Sequence, residues 1–270
     1  MRSRRFTAVL CAVAMIGFSG LGGCAAPSKT NPEAAEDNDP FESVNRKVWA
    51  FDMELDRYFL KPVAEGYRAV MPDIAQTGIS NVLSNIKSPI VFANDLLQGN
   101  ITRAGETLER LTLNTLLGAG GLIDVAGNHG LRGHEADFGQ TLGVWGIDSG
   151  PYLVLPLLGP SNPRDGIGYG VDSLIDPFSI KMRAANIDQG NYIRWGVSVV
   201  SDRTATIDQL DEVKKESLDF YAAIRSLYQQ QRAAAVAAGK SGSSAPVTDL
   251  SVGLQTGSLV SPAAHRDEVR

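Results

Sequence analysis

The chain has 270 residues, 43% of them hydrophobic and 20% charged, and carries a net charge of −5. That balance fits a folded chain rather than a disordered one, and an acidic total with no Lys/Arg cluster excludes a nucleic-acid footprint. The two cysteines, Cys11 and Cys24, both lie near the N-terminus, which leaves no disulfide framework and no Cys/His zinc set for the remainder.

Residues 1–23 read as a lipoprotein signal peptide. Arg2, Arg4 and Arg5 precede an apolar run, Phe6 to Gly23, that ends in small residues. Leu21-Gly22-Gly23-Cys24 resembles the bacterial lipobox, in which cleavage occurs before a cysteine that receives a diacylglycerol thioether. Cys24 is therefore the expected lipidation site. An uncleaved anchor is the alternative, but the run is short and rich in glycine and alanine. Cleavage removes three arginines and no acids, taking the charge from −5 to −8, so membrane attachment has to come from acyl chains, at about 0.8 kcal/mol per buried methylene. By resemblance to bacterial sorting rules, Ala25 after the cysteine points to the periplasmic face of the outer membrane. Residues 24–38 follow as a polar, acidic, flexible tether.

Folded structure is expected over residues 39–232. Asp39-Pro40 reads as a helix start, and Phe41, Val44, Val48, Phe51 and Leu55 recur on one helical face. That face suits a core, or a membrane interface with Trp49, Tyr58 and Phe59 as anchors. Pro62 is expected to close the element. Punctuation at Pro72, Gly78, Pro89 and Gly99 predicts short helices, one with a stripe of Ile79, Val82, Leu83 and Ile86, another over residues 90–97. Residues 102–117 have helical spacing through Ala104, Leu108, Leu111 and Thr115.

The run Leu113 to Ala126 contains one charge, Asp124. It is too short to span a bilayer, though ten helical residues would cover roughly 15 Å, one leaflet of a ~30 Å hydrocarbon core. From Gly139 to Gly170 the chain holds eight glycines and four prolines among apolar residues, with Asp148, Arg164 and Asp165 its only charges. Such a density argues against a long helix, yet the stretch is too apolar for a solvated linker. It reads either as a packed loop or as irregular backbone lining a wet passage. Gly166 to Gly170 is the hinge candidate. Beyond it, a helix is expected through residues 192–200, and Thr206-Ile-Asp-Gln209 reads as a capping box. The helix it opens would carry Leu210, Val213, Ser217, Tyr221, Ile224 and Tyr228. Residues 233–270 read as a disordered low-complexity tail.

Catalytic patterns are poor, and no enzyme, metal or cofactor is expected. His134-Glu-Ala-Asp-Phe138 lacks the second histidine of a zinc motif. No G-x-S-x-G occurs, and Gly118-Ala-Gly120-Gly121 and Gly166-Ile-Gly168-Tyr-Gly170 are incomplete as dinucleotide fingerprints.

Taken in order, a set of stretches resembles the MlaA/VacJ family of outer-membrane lipoproteins. They are Asp39-Pro-Phe-Glu42 with Asn45-Arg46, Leu55-Asp56, Lys61-Pro-Val-Ala64, Ser80-Asn81, Asn94-Asp-Leu-Leu-Gln-Gly99, and Asn114 with Gly118 to Ala126. Asp137-Phe-Gly-Gln-Thr-Leu-Gly143, Gly150-Pro-Tyr-Leu-Val-Leu-Pro-Leu-Leu-Gly-Pro160 and Arg164-Asp165 follow, then Asp219, Tyr221, Arg225 and Arg232. The chain departs from the family pattern at Leu83 and Leu111, where aromatics are expected, and at Asp52, where asparagine is expected.

The resemblance implies an all-α, ring-like arrangement of short and amphipathic helices with Gly/Pro-rich loops, seated in one membrane leaflet. It implies an amphipathic channel that takes mislocalised phospholipids from the outer leaflet to a periplasmic lipid carrier linked to an inner-membrane ABC transporter, with porin trimers as partners. Under that reading Asp148, Ser149, Arg164 and Asp165 are expected near the wet path. Leu153, Leu155, Leu157 and Leu158, with residues 116–125, are expected to face lipid or its tails, and Gly118 and Gly120 to need their small size. A structural envelope lipoprotein associated with porins, without lipid transport, is the alternative. A lipid hydrolase is disfavoured by the few histidines.

Overall fold

The computed structural model describes residues 39–242. The signal peptide, the tether with Cys24, and residues 243–270 of the expected tail lie outside that range. The fold is all-α, as expected, with one small hairpin.

Helix α1, Glu42–Leu55, does not stop at Pro62. It passes through a π-helical turn, Asp56–Leu60, straight into α2, Lys61–Val70, where Pro62 occupies the first turn. A first-turn proline gives up a donor that helix starts leave free, and the widened turn accommodates its ring. Asp39 starts α1 through its carbonyl, which accepts the Glu42 amide at 3.1 Å. Its buried carboxylate points inward instead, accepting from Asn45 Nδ2 (2.7 Å), the Tyr221 hydroxyl and Arg225 (3.3 Å).

Residues 73–97 form one continuous helix, α3 (Asp73–Leu97), rather than short pieces. Gly78 marks a close approach instead of a break: a Cβ there would lie 3.3 Å from Leu122 Cδ2. Pro89 costs the helix a hydrogen bond, and packing against the next helix, α4 (Ile101–Leu116), holds it together. Gly99, at φ +78°, makes the turn between them.

After α4 come a short helix α5, Val125–Asn128, capped by Asp124, and α6, Phe138–Val144, capped by Asp137. The apolar run from Tyr152 becomes a hairpin of β1, Leu153–Leu155, and β2, Gly159–Ser161, with Val154 opposite Pro160. Helix α7, Pro163–Ile175, takes in Gly166, Gly168 and Gly170, so the expected loop and hinge there is helical. The reason is local: Asn162 caps the Asp165 amide at 2.8 Å and Pro163 opens the first turn.

The rest comprises α8, Pro177–Ala184, α9, Gln189–Ala205, α10, Ile207–Glu216, and α11, Phe220–Ser241. The expected capping box fails because the Thr206 hydroxyl bonds back to the Asp202 carbonyl (3.0 Å) and offers no cap. The single helix expected through Tyr228 is two, and Asp219 caps the second through the Ala222 amide at 3.1 Å. That second helix also overruns the boundary placed at residue 232. Its alanines favour helix, Asn100 Nδ2 donates to the Gly239 carbonyl at 2.7 Å, and the chain leaves the helix only at Gly242, φ +62°.

The apolar core is small. Tyr152, Val154 and Tyr221 are buried, with Val48, Trp49 and Tyr228 packed on them. Much of the remaining interior is polar, including Asn45, Asn94, Asp95, Arg103, Asn114 and Gln140. Outside, the pattern is reversed. Ile74 is 85% exposed, Tyr192 75% and Leu116 74%, and Phe51, Tyr58, Phe59, Leu174 and Ile193 are also exposed. Apolar exposure on that scale marks an interaction surface. No helix among the described residues is long and apolar enough to cross a membrane.

Candidate functional site

Two charged assemblies stand out, one buried and one half-exposed. The first ties α6, α7 and α11 together. Asp137 Oδ2 and Oδ1 accept from Arg232 at 2.7 and 3.0 Å, and Asp165 Oδ1 accepts from the same guanidinium at 2.8 Å. Asp165 Oδ2 also accepts from Asn162 Nδ2 (2.7 Å) and the Tyr228 hydroxyl (2.5 Å). Burial works to lower the Arg232 pKa, but its bonds to Asp137 and the charges of both carboxylates outweigh this and raise it. Burial likewise opposes ionisation of Asp137, and Arg232 holds it below the usual carboxylate range all the same. Small residues let these groups meet. A Cβ on Gly168 would lie 2.2 Å from the Gly139 nitrogen, and one on Gly139 would lie 2.7 Å from Asp165 Oδ1.

The second assembly is half-exposed. Lys87 of α3 meets Glu135 at 3.2 Å, and the two side chains keep 45% and 65% of their accessible surface. Glu135 raises the Lys87 pKa against the opposing effect of burial, and Lys87 lowers that of Glu135 against the same opposition. Both side chains stand on the wall of a recess. Asp202 of α9 is exposed and is not part of the recess wall. The recess has a cavity of ≈ 50 Å³ whose wall includes Asn81, Ser84, Asn85 and Ser88, a polar stripe at helical spacing on α3. From α4, Arg110 contributes to the wall but is committed to Asp124 (3.1 Å) and the Leu131 carbonyl. His134 is held by Asp95, at 2.9 Å from its Oδ2.

The residues expected at the passage fall in four places. Arg164 and Asp165 are brought together, 3.2 Å apart, within the buried α6–α7–α11 assembly. Leu153, Leu155, Leu157 and Leu158 share the hairpin, the first two half-buried and the last two exposed at its tip. Asp148 and Ser149 lie in the loop before it, where Asp148 Oδ1 accepts the Gly150 amide at 3.2 Å and the Ser149 hydroxyl at 3.4 Å. Gly118 and Gly120 sit at the far end of α4. A Cβ on Gly118 would lie 2.2 Å from the Ile123 carbonyl oxygen, whereas Gly120 has φ +76° in open space. Sequence reasoning missed Lys87 and Glu135 as a pair. The Asn81–Ser88 stripe was the available signal for one wall; nothing local links it to residue 135.

A largely polar interior in an all-α fold that exposes many large apolar side chains fits the class of membrane-associated lipoproteins. The family described as MlaA lipoprotein matches residues 37–235, and the chain belongs to it. The intermembrane phospholipid transport system lipoprotein MlaA of Escherichia coli is 34% identical over 220 residues, covering 80% of this chain and 84% of its own. A protein of Rickettsia bellii is 36% identical over 225 residues, 82% of this chain and 81% of its own. A solved structure described under the structural basis for maintenance of bacterial outer membrane lipid asymmetry superposes with a TM-score of 0.64 at 36% identity, covering 73% of this chain and 98% of that one.

Proposed function

We propose that this protein is an outer-membrane lipoprotein, anchored at Cys24 on the periplasmic face, that removes mislocalised phospholipids from the outer leaflet and passes them to a periplasmic carrier. The observation that carries the reading is a polar recess walled by Asn81, Ser84, Lys87, Ser88 and Glu135 in a fold that exposes many large apolar side chains. Burying a phospholipid headgroup without partners is costly, so a passage needs a hydrated polar wall on the inside. Displacing neighbouring lipid needs the opposite outside. The printed name of the Escherichia coli relative, a phospholipid transport lipoprotein, supports the same reading. Porin trimers and a carrier linked to an inner-membrane ABC transporter are its proposed partners.

The test is outer-leaflet phospholipid in a deletion strain complemented with wild type, Cys24→Ala or Ser88→Trp, the last filling the cavity. Accumulation rescued by wild type, and poorly by either variant, is the expected result. No accumulation in the deletion strain overturns lipid removal in favour of a structural, porin-associated lipoprotein.

A further inference from the structure

The charges at the recess are matched in pairs. On its wall Lys87 meets Glu135 at 3.2 Å and Arg110 meets Asp124 at 3.1 Å. Behind the wall, fully buried Asp95 of α3 has the buried Arg103 of α4 at 3.8 Å. The remaining titratable residue of the wall is His134. Its Nε2 lies 3.0 and 2.9 Å from the two Asp95 oxygens, one of which also accepts from the Thr107 hydroxyl at 2.8 Å. A carboxylate only accepts, so Nε2 carries the proton of the neutral ring and Nδ1 keeps its lone pair. That Nδ1 makes no hydrogen bond with the described residues, and the side chain keeps 15% of its accessible surface. Gly133 brings this segment close to α4: a Cβ there would lie 3.3 Å from Arg110 Nη2.

Histidine is the side chain that takes up a proton between pH 8 and pH 5. A proton on Nδ1 turns that atom from acceptor to donor and adds one positive charge to a wall whose other charges are matched. Nε2 donates to Asp95 in both states, which holds the ring in place. The recess has ≈ 50 Å³ of space. A single water takes about 10–15 Å³ of such space, so a few waters, or one phosphate group, fill it. A lipid phosphodiester keeps its negative charge over this pH range, so its binding and the protonation of the histidine favour each other. We propose that His134 is a proton-controlled contact for the phosphodiester of a lipid headgroup in the recess, holding it more tightly as pH falls. This rests on the passage reading above and adds how the hold on the headgroup is regulated.

The experiment uses full-length acylated protein in non-ionic detergent, titrated with soluble dihexanoyl phosphatidylglycerol at pH 5.5 and at pH 8. Wild type should bind about fivefold more tightly at pH 5.5, the factor that one added charge contributes at ~4 Å in water. His134→Gln keeps an amide donor for Asp95 and should bind at both pH values as wild type does at pH 8. His134→Lys carries a permanent charge and should bind at both as wild type does at pH 5.5. Ser88→Trp, which fills the recess, should remove the gain at low pH. Glycerophosphoglycerol, the same headgroup without acyl chains, should show the same ratio at lower affinity. Equal affinity for the two would assign the recess to a free phosphodiester and overturn the lipid assignment. A wild-type affinity unmoved by pH, or a pH dependence that persists in His134→Gln or Ser88→Trp, overturns the inference while leaving lipid passage standing. Failure of wild type to bind the lipid at either pH overturns the passage reading and this inference with it.

Discussion

Asp52 on α1 holds the tip of the hairpin: its Oδ1 accepts the amide of Leu157 at 3.0 Å, and Leu157 sits at φ +68°, a left-handed backbone that a leucine adopts only when held. The other oxygen, Oδ2, is buried with no partner. Burial accordingly raises the Asp52 pKa, with the Leu157 amide opposing.

The sign of the resulting pH dependence follows. A carboxyl raised in the fold is unfavourable once ionised, so its cost is absent below the unfolded value of about 3.9 and complete above the raised folded one. Asp52→Asn keeps an acceptor for Leu157 and removes the charge. It should be at least as stable as wild type at pH 7, with the advantage vanishing near pH 4. Asp52→Ala, which loses the acceptor as well, should be less stable than Asp52→Asn by about 1 kcal/mol. Thermal melts of the three proteins at pH 4 and 7 check both.

Arg232 bridges Asp137 and Asp165, so Arg232→Ala leaves Asp137 without its cation and Asp165 with Arg164 alone. A loss of roughly 3 kcal/mol in urea denaturation is expected, with Arg232→Lys recovering part of it. Asp137 lies below the usual range in the fold. Its contribution is therefore whole above about pH 4 and is lost as pH falls toward the lowered value. That acid-side loss should be smaller in Arg232→Ala.

The glycines of α7 separate packing from hinge action. A Cβ on Gly168 runs into Gly139 backbone at 2.2 Å, while Gly166 and Gly170 have nothing within 4 Å. Gly168→Ala should cost about 2 kcal/mol or more by prising α6 from α7. Gly170→Ala should stabilise by up to about 1 kcal/mol through helix propensity, with lipid removal intact. A stabilised Gly166→Ala or Gly170→Ala protein that failed to clear outer-leaflet phospholipid would restore the hinge.

The apolar exterior predicts membrane attraction independent of acylation. Ile74, Leu116 and Tyr192 are mostly exposed, so replacing them with glutamate should change stability by no more than about 0.5 kcal/mol each. The triple variant in a Cys24→Ala background should float with phospholipid vesicles far less than Cys24→Ala alone. Equal flotation would show that these faces do not meet lipid.

Much of the local structure was legible in the residues. The helix over 101–116, the all-α class and the family motifs rest on periodicity and order along the chain, short-range properties, whereas the cap read at Asp39 does not form, because the helix starts at Glu42 and the Asp39 carboxylate turns inward. Glycine and proline misled because their local meaning is ambiguous. Gly78, Pro89 and Gly166 to Gly170 read as breaks, but helical neighbours override a weak local preference, and at Gly78 and Gly168 the absent side chain serves a close contact with another element. The expected site residues suffered in the same way. Arg164 and Asp165 were correctly noticed as rare charges in greasy sequence, and the fold uses them to lock helices together.

By itself, then, the sequence determined the helical class, the family and Cys24 as the expected point of lipid attachment, because these follow from patterns a few residues long. Only the tertiary structure decided that Lys87 and Glu135 meet on the wall of one recess, since they come from α3 and from the segment before α6. Coulombic pairing and dehydration depend on distances through space, and no spacing along the chain encodes those until the helices have packed.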